Sequence, residues 1–261
     1  MNIRASIDEL AARLDSAAVT RTACAQVFGE QDVPVDDAYV VQAALVARRL
    51  DRGERLAGAK LGFTSRAKAL QMGVSDVIIG RLTSGMAVAE GDEVDLGRFI
   101  HPRAEPEVAF RMAVDIEPGG WRGNPAEAVD AVAPAVEIID SRYRDFRFSL
   151  ADVVADNTSA AAFVVGAWRP LSLPLHNRGV LLEIDDRLAE AGSTAAILGD
   201  PMRAVSTAIR LAGRYGIALA AGTVLMAGAA TSAVALRPGQ AVTATVSGLG
   251  RVRFSAGHAT E

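Results

Sequence analysis

The sequence predicts an α+β fold with a helical N-terminal portion, and three observations carry that expectation. Helical periodicity is clearest before about residue 56. Beyond it the chain breaks into short, apolar, β-branched runs. These runs are separated by dense turn punctuation, without the regular strand and helix alternation of a doubly wound sheet. With 261 residues, 50% of them hydrophobic, the chain can bury a sizeable core. The expected organisation is a helical portion over 1–56 leading into one mixed domain over 57–261.

Taken in order, apolar residues recur at helical spacing from Ile7 to Ala18 and from Asp36 to Arg52, with Asp36 placed to cap the second helix and Gly53 to end it. AKLGF then reads as a strand, SRAKALQMG as a short helix ended by Gly73, and DVIIGRL as a strand. Sheet is expected around Ile100, Glu105 to Val114, Val132 to Ile139 and Ala160 to Gly166, although the Ala-rich SAAAF also suits a helix. Asn124 to Val132 reads as a helix. The C-terminal third offers strands at Gly179 to Ile184, Thr223 to Met226, Ala241 to Ser247 and Val252 to Phe254. A helix across DPMRAVSTAIRLAGRYG starts near Pro201 and ends near Gly216.

The formal net charge is -4 and no basic cluster stands out, which argues against nucleic acid or an anionic membrane surface as partner. Cys24, the single cysteine, excludes an internal disulfide and reads as a small core residue. The N-terminal segment alternates charged and apolar residues, unlike a signal peptide, and SAAAFVVGAW is too short to span a bilayer as a helix. The expectation is a cytoplasmic protein.

The chemistry concentrates in acidic residues. Glu105 and Glu107 lie in HPRAEPEVAF and Glu137 lies in APAVEIID. A strand directs residues i and i+2 to one face, so one strand can aim two carboxylates at a point that Glu137 approaches from a neighbouring strand. Glu-x-Glu is common on solvated strand faces, but Val108, Ala109 and Phe110 follow Glu107, and Val136, Ile138 and Ile139 surround Glu137. Carboxylates in such company are costly to bury unless a cation or hydrogen bonds compensate them. Three oxygen donors without His or Cys suit a hard cation, Mg2+ or Mn2+.

Several ordered segments resemble one family. AKLGFTSRAKALQMGVSDVIIG, FIHPRAEPEVAF, PAVEIIDSRYRDFRFSLADVVADNTSAA and LRPGQAVTATVSGLGRV are similar to stretches of 4-oxalocrotonate decarboxylases and 2-keto-4-pentenoate hydratases, sister groups in the fumarylacetoacetase-like superfamily. The resemblance implies a mixed β-sandwich roll, a catalytic domain over 57–261, and a divalent ion at Glu105, Glu107 and Glu137. It also implies an active-site lysine at Lys60, a small 2-oxo acid or dicarboxylate as substrate, a homo-oligomer, and a possible partner hydratase.

The sister activities differ at one position. Hydratases carry an aspartate that handles protons during water addition; aligned from Gly73 and Gly80, that position holds Ile78, with Asp76 two residues earlier. Ile78 and His101, where hydratases often have Gln, favour the decarboxylase branch, and hydration by a 2-keto-4-pentenoate hydratase is the alternative. Val77, Ile79 and Pro106 depart from the usual residues of the relatives. Hydrolysis of an acylpyruvate normally needs an N-terminal His/Glu pair, and no His precedes His101. A non-catalytic subunit is disfavoured by the intact Lys60 and three glutamates.

Ser159 and Thr231 are candidates to bind the substrate carboxylate, each with a locally satisfied hydroxyl as the plain alternative. Arg142 suits either a substrate carboxylate or the support of Asp140, the second being the more usual role. His101 suits proton transfer or the orientation of the Glu strand, and a hydrogen-bonded structural histidine is the commoner case.

Overall fold

The computed structural model describes residues 3–29, 31–65, 77–118 and 121–257. Two helices open the chain, α1 (Ile3–Thr20) and α2 (Val35–Asp51). Asp36 does not cap α2; Pro34 holds that position, and Asp36 and Asp37 lie in the first turn, where carboxylates face the positive end of the helix dipole. Gly53, at φ +92, follows the last turn and donates its N–H back to the Leu50 carbonyl at 2.9 Å, as expected of a terminating glycine.

Strands β1 (Leu56–Gly62), β2 (Ile78–Thr83), β3 (Ala87–Val88), β4 (Glu93–Asp95), β5 (Arg103–Met112), β6 (Val129–Ile139), β7 (Ala160–Val165) and β8 (Arg169–Pro170) follow, with helix α3 (Leu150–Ala155) before β7. The C-terminal part carries β9 (Gly179–Ile184), β10 (Arg187–Ser193), helix α4 (Met202–Tyr215), β11 (Val224–Ala229), β12 (Val234–Ala235), β13 (Ala241–Val246) and β14 (Gly250–Gly257). Among the described residues these strands form two sheets. The larger runs β2-β1-β11-β5-β6-β7-β3, with β12 on β5 and β8 on β6; the smaller runs β10-β9-β13-β14-β4. The two ends of the larger path, β2 and β3, are joined by a single 3-10 turn at Ser84–Met86, so that sheet curls back on itself.

Alternation along β5 and β6 assigns the layers. Ala104, Val136 and Ile138 point outward onto Leu182, Val242 and Phe254 of the smaller sheet. Glu105, Glu107, Ala109, Ala135 and Glu137 occupy the opposite, concave face, where Ala109 and Ala135 pack with Leu82, Phe163 and Met226. A second layer of core joins Leu14 of α1, Leu45 of α2 and Val205 of α4 to Leu61, Phe110 and Val132 of the larger sheet. Burial on both faces explains why β6 reads as a nearly unbroken apolar run and why the glutamates of β5 are buried among apolar neighbours.

Two further expectations are corrected. Asn124 to Val132 is a 3-10 turn, Pro125–Ala128, capped by Asn124 Oδ1 and followed at once by β6. The β-branched Val129 and Val132 gain more from the sheet core than from continuing a turn already started by Pro125. Ile100 lies in a bend rather than a strand, its N–H donating to Asp140 Oδ2 at 2.9 Å. The short strands β3, β4, β8 and β12 were not foreseen, nor were β10, a polar edge strand held by its hairpin with β9, and α3, a helix of six residues with a Ser149/Asp152 capping box. Residues 66–73, the rest of the SRAKALQMG segment after Ser65, and Asp76 lie outside the described residues. No described helix is long and apolar enough to cross a membrane.

Candidate metal centre and active site

Antiparallel register sets Glu105 of β5 directly opposite Glu137 of β6, with Glu107 opposite Ala135. One carboxylate oxygen from each glutamate lies within 4.8 Å of the others, and all three residues are buried. Lys60 comes from three strands away, through β11 and β5 to β6, a distance of roughly 14 Å on a flat sheet. Curling of the sheet removes that distance, and Lys60 Nζ sits 3.1 Å from Glu137 Oε2.

Several groups are built to hold this arrangement. Lys60 Nζ also donates to the Thr158 carbonyl at 3.0 Å, and Glu107 Oε2 accepts the Gly228 N–H at 2.8 Å. A register irregularity in β11 between Met226 and Ala229 frees that N–H from the ladder. Gly228 has φ +107, and a Cβ there would stand 2.1 Å from Thr64 Oγ1, so both the backbone shape and the approach of Thr64 require glycine.

Thr158 reaches Lys60 because Asn157, Thr158 and Ser159 are three consecutive residues in the left-handed region, at φ 49, 54 and 59. Such a run is costly for side chains with a Cβ and persists only where its surroundings enforce it. Asn157 supplies part of that enforcement, accepting from the Arg81 N–H and donating to the Arg81 carbonyl, both at 2.8 Å. Gly80 supplies the space, since a Cβ there would fall 2.2 Å from Thr158 Oγ1 and 2.8 Å from the Asn157 carbonyl.

Electrostatics follow from burial. Desolvation works against the Lys60 ammonium, but Glu137, Glu105 and Glu107 outweigh it and hold its pKa above the ordinary value. Desolvation pushes the Glu137 carboxyl up to about 7 although Lys60 pulls it down, and burial together with the Glu137 charge pushes Glu107 well above the usual range. Glu107 Oε1 and Glu137 Oε1 are buried without a hydrogen-bond partner, and Glu137 Oε2 has only its ion pair with Lys60. Unpaired, desolvated carboxylate oxygens converging on one point are a poor arrangement without a cation and a good one with it. The residues therefore fit a hard divalent ion with oxygen ligands.

Beside the glutamates lies a cavity of about 120 Å3. Glu105, Lys60, Thr158 and Ser159 line its polar part, and the hydroxyls of Thr158 and Ser159 are buried without partners. Ile78, Ile139, Phe146, Phe148 and Val153 line its apolar part. A larger cleft, where the C-terminal ends of α1 and α2 meet Arg98 and Arg142, is lined by neither Lys60 nor any of the three glutamates.

The sequence-derived candidates divide accordingly. Glu105, Glu107, Glu137, Lys60, Ile78 and Ser159 come together at the cavity. Arg142 does not line it; the guanidinium pairs with Asp156 and donates to the Asp140 carbonyl at 2.6 Å and to the Ala160 carbonyl at 3.2 Å, tying down both ends of the segment that leads to Ser159. Burial raises the Asp156 carboxyl to about 6 although Arg142 opposes it. Thr231 also lies outside the lining, its hydroxyl donating to the Ser232 carbonyl at 3.0 Å. The His101 ring packs against Phe146, tilted by 41° with centroids 4.5 Å apart; its backbone N–H donates to Asp140 Oδ1 at 2.8 Å, and its ring Nε2 is buried without a partner. Thr158, Phe146 and Gly228 were missed, because left-handed backbone at Thr and Phe has no sequence signature and a glycine in a strand reads only as a possible irregularity.

Comparisons with known proteins agree with this architecture. Residues 58–255 match the family model described as fumarylacetoacetate hydrolase C-terminal. A 4-oxalocrotonate decarboxylase from a Pseudomonas species is 52% identical over 95% of this chain and 97% of the relative. A 2-hydroxypent-2,4-dienoate hydratase from Pseudomonas putida is 36% identical over 81% of this chain and 98% of the relative. Among solved structures, the 4-oxalocrotonate decarboxylase of Pseudomonas putida G7, complexed with magnesium and adipate, superposes with a TM-score of 0.91 at 35% identity, covering 97% of this chain and 98% of that one. The same enzyme has also been solved with calcium and acetate. With the model matched across both sheets and all three glutamates inside the matched range, the chain belongs to the fumarylacetoacetate hydrolase family.

Proposed function

We propose that this protein is a divalent-metal-dependent decarboxylase that converts 2-oxohex-3-enedioate (4-oxalocrotonate) to 2-hydroxypenta-2,4-dienoate and carbon dioxide. The observation that carries the choice is Ile78, which is 4% exposed and lines the cavity at the position where hydration would call for an acid. The higher identity to a decarboxylase than to a hydratase, 52% against 36%, supports the same choice.

A Mg2+ or Mn2+ ion held by Glu105, Glu107 and Glu137 would supply Lewis acidity toward the substrate's C1 carboxylate and 2-oxo oxygen. The chain's own groups do the rest. Ser159, with its free buried hydroxyl, binds the C1 carboxylate. When the C5–C6 bond breaks, its electron pair forms C4=C5, the C3=C4 pair becomes C2=C3, and the carbonyl pair moves onto the 2-oxygen. Lys60, whose Nζ sits 3.1 Å from Glu137 Oε2, donates a hydrogen bond that shares the charge on that oxygen, which takes a proton to give the dienol, and C6 leaves as carbon dioxide. Removing one such donor typically costs about 10²–10³ in kcat. Ile78, Phe146 and Phe148 surround the departing carboxylate with apolar surface, which favours neutral carbon dioxide over the ion.

The hydratase reading keeps the same metal centre and differs in what acts on the diene. It is favoured by the 36% identical relative and would need an acid elsewhere to move the proton, because Ile78 has none to give. Carbon dioxide release from 2-oxohex-3-enedioate with Mg2+, compared on one preparation with hydration of 2-hydroxypenta-2,4-dienoate, separates the two. Release that Glu107→Gln largely removes supports decarboxylation; efficient hydration with no release sinks it. The proposal includes residues 57–261 as the catalytic domain and 1–56 as the helical portion, a role in aromatic catabolism, a cytoplasmic location and a homo-oligomer. It also includes a partner hydratase, because the dienol product carries the name of that relative's substrate.

A further inference from the structure

Phe146 is, with Phe63 at φ 58, one of two phenylalanines on the cavity wall with left-handed backbone; it stands at φ 56, next to Asp145 at φ 57. Neither residue is glycine, and such strain at a cavity wall persists only where the surroundings enforce it. Two side chains from the segment leading into β5 hold the ring. The His101 ring packs against it, tilted by 41° with centroids 4.5 Å apart, and the Arg103 guanidinium lies over it at 4.4 Å from the centroid. Phe148 backs it with ring centroids 6.4 Å apart.

Register gives this group its distance from the metal centre. Arg103 shares the concave face with Glu105 and Glu107, two residues before Glu105, and pairs with Ile139 as Glu105 pairs with Glu137. Two residues of strand are roughly 7 Å. The chain of a six-carbon dicarboxylate, extended from a C1 end at the glutamates, spans a similar length.

We propose that Phe146 is a specificity-determining residue: a wall, held in place by His101 and Arg103, that measures the length of the substrate beyond the metal centre. A six-carbon 2-oxo dicarboxylate places its terminal carboxyl group against the ring. The five-carbon product, one carbon shorter, no longer reaches it. This rests on the reading that the cavity takes the substrate with its C1 end at Glu105, Glu107 and Glu137.

The test is binding of linear dicarboxylates to the Mg2+-loaded protein by calorimetry, with oxalate as a probe that engages only the metal end. One methylene against an apolar wall is worth about 10–200-fold. The wild-type protein should therefore bind adipate at least about tenfold more tightly than glutarate or pimelate. Phe146→Ala should bring pimelate to within about twofold of adipate, and His101→Gln should move the ratio in the same direction, both with oxalate affinity unchanged. Phe146→Tyr, which keeps the ring and adds an oxygen to the wall, should weaken adipate while sparing glutarate, and it carries the test if the alanine variant does not fold. An unchanged adipate to pimelate ratio, or equal losses for oxalate and adipate, overturns the proposal. Carbon dioxide release is measured separately. A length preference without decarboxylation would retain the wall and sink the assigned reaction, and decarboxylation without a length preference would do the reverse.

Discussion

Lys60→Met is the substitution whose consequences follow most directly from the geometry. It removes the ammonium from between Glu137 Oε2 at 3.1 Å and the Thr158 carbonyl at 3.0 Å, while a side chain of similar length keeps the site filled. Truncating one member of a buried pair costs roughly 3–5 kcal/mol, because the other charge stays behind. An acceptor left without its donor accounts for about 1–3 kcal/mol on its own. Proton uptake limits the first contribution. Glu137 already titrates near 7, raised by burial and lowered by Lys60, so losing Lys60 moves it higher. A carboxyl whose folded pKa exceeds its unfolded value makes the protein less stable as pH rises from the unfolded to the folded value. The Lys60 ammonium, with its pKa raised, contributes fully at every pH below its unfolded value near 10.5.

In EDTA, the stability gap between wild type and Lys60→Met should therefore widen from about 1–3 kcal/mol at pH 6 to roughly 3–5 kcal/mol at pH 9. Saturating Mg2+ should narrow the pH 9 gap, since a divalent cation replaces the missing charge. Urea unfolding at both pH values, with EDTA and with Mg2+, measures all four numbers. A gap that is the same at pH 6 and pH 9, or below about 1 kcal/mol at pH 9 in EDTA, would refute the account of a buried charge balanced by Lys60.

Three further outcomes are expected. Apparent Mg2+ affinity should rise with pH from 6 to 8, by up to about tenfold per unit for each proton displaced, because the ion must displace protons from Glu137, near 7, and from Glu107, which lies above its ordinary range. Calorimetry in buffers of different ionisation enthalpy counts those protons, and a pH-independent affinity contradicts the shifts. Gly228→Ala should lower stability by about 1–3 kcal/mol, because its φ of +107 and the Thr64 hydroxyl both exclude a Cβ, and the loss is read from thermal unfolding. Thr158→Gly should raise the melting temperature, with a gain of about 1 kcal/mol from relief of left-handed backbone, and should preserve the Lys60 contact because the carbonyl remains.

Much of the scaffold was legible in local pattern. The periodicity of α1, α2 and α4, the alternation of β5 and the apolar runs of β6 and β7 are consequences of one-dimensional spacing, which is why their positions could be read within a few residues. Legibility failed where a local signal competed with a distant one. Pro125 and Asn124 announce a helix that the sheet core overrides after one turn, and β10 has too little apolar surface to announce itself before β9 pairs with it.

The site divides along the same line. Period two along β5 by itself put Glu105 and Glu107 on one face, and the apolar neighbours of Glu137 made its burial, and hence the need for a cation, predictable. The tertiary structure alone decided that Lys60 reaches Glu137, because closing a gap of three strands depends on the curl of the whole sheet. It alone brought in Thr158 and Phe146, whose backbone angles are unfavourable locally and are held by Arg81, through Asn157, and by Gly80, His101 and Arg103 from elsewhere in the chain. Sequence sets the periodicity that selects a face; only packing among distant segments can hold a backbone where its own residues would not stay.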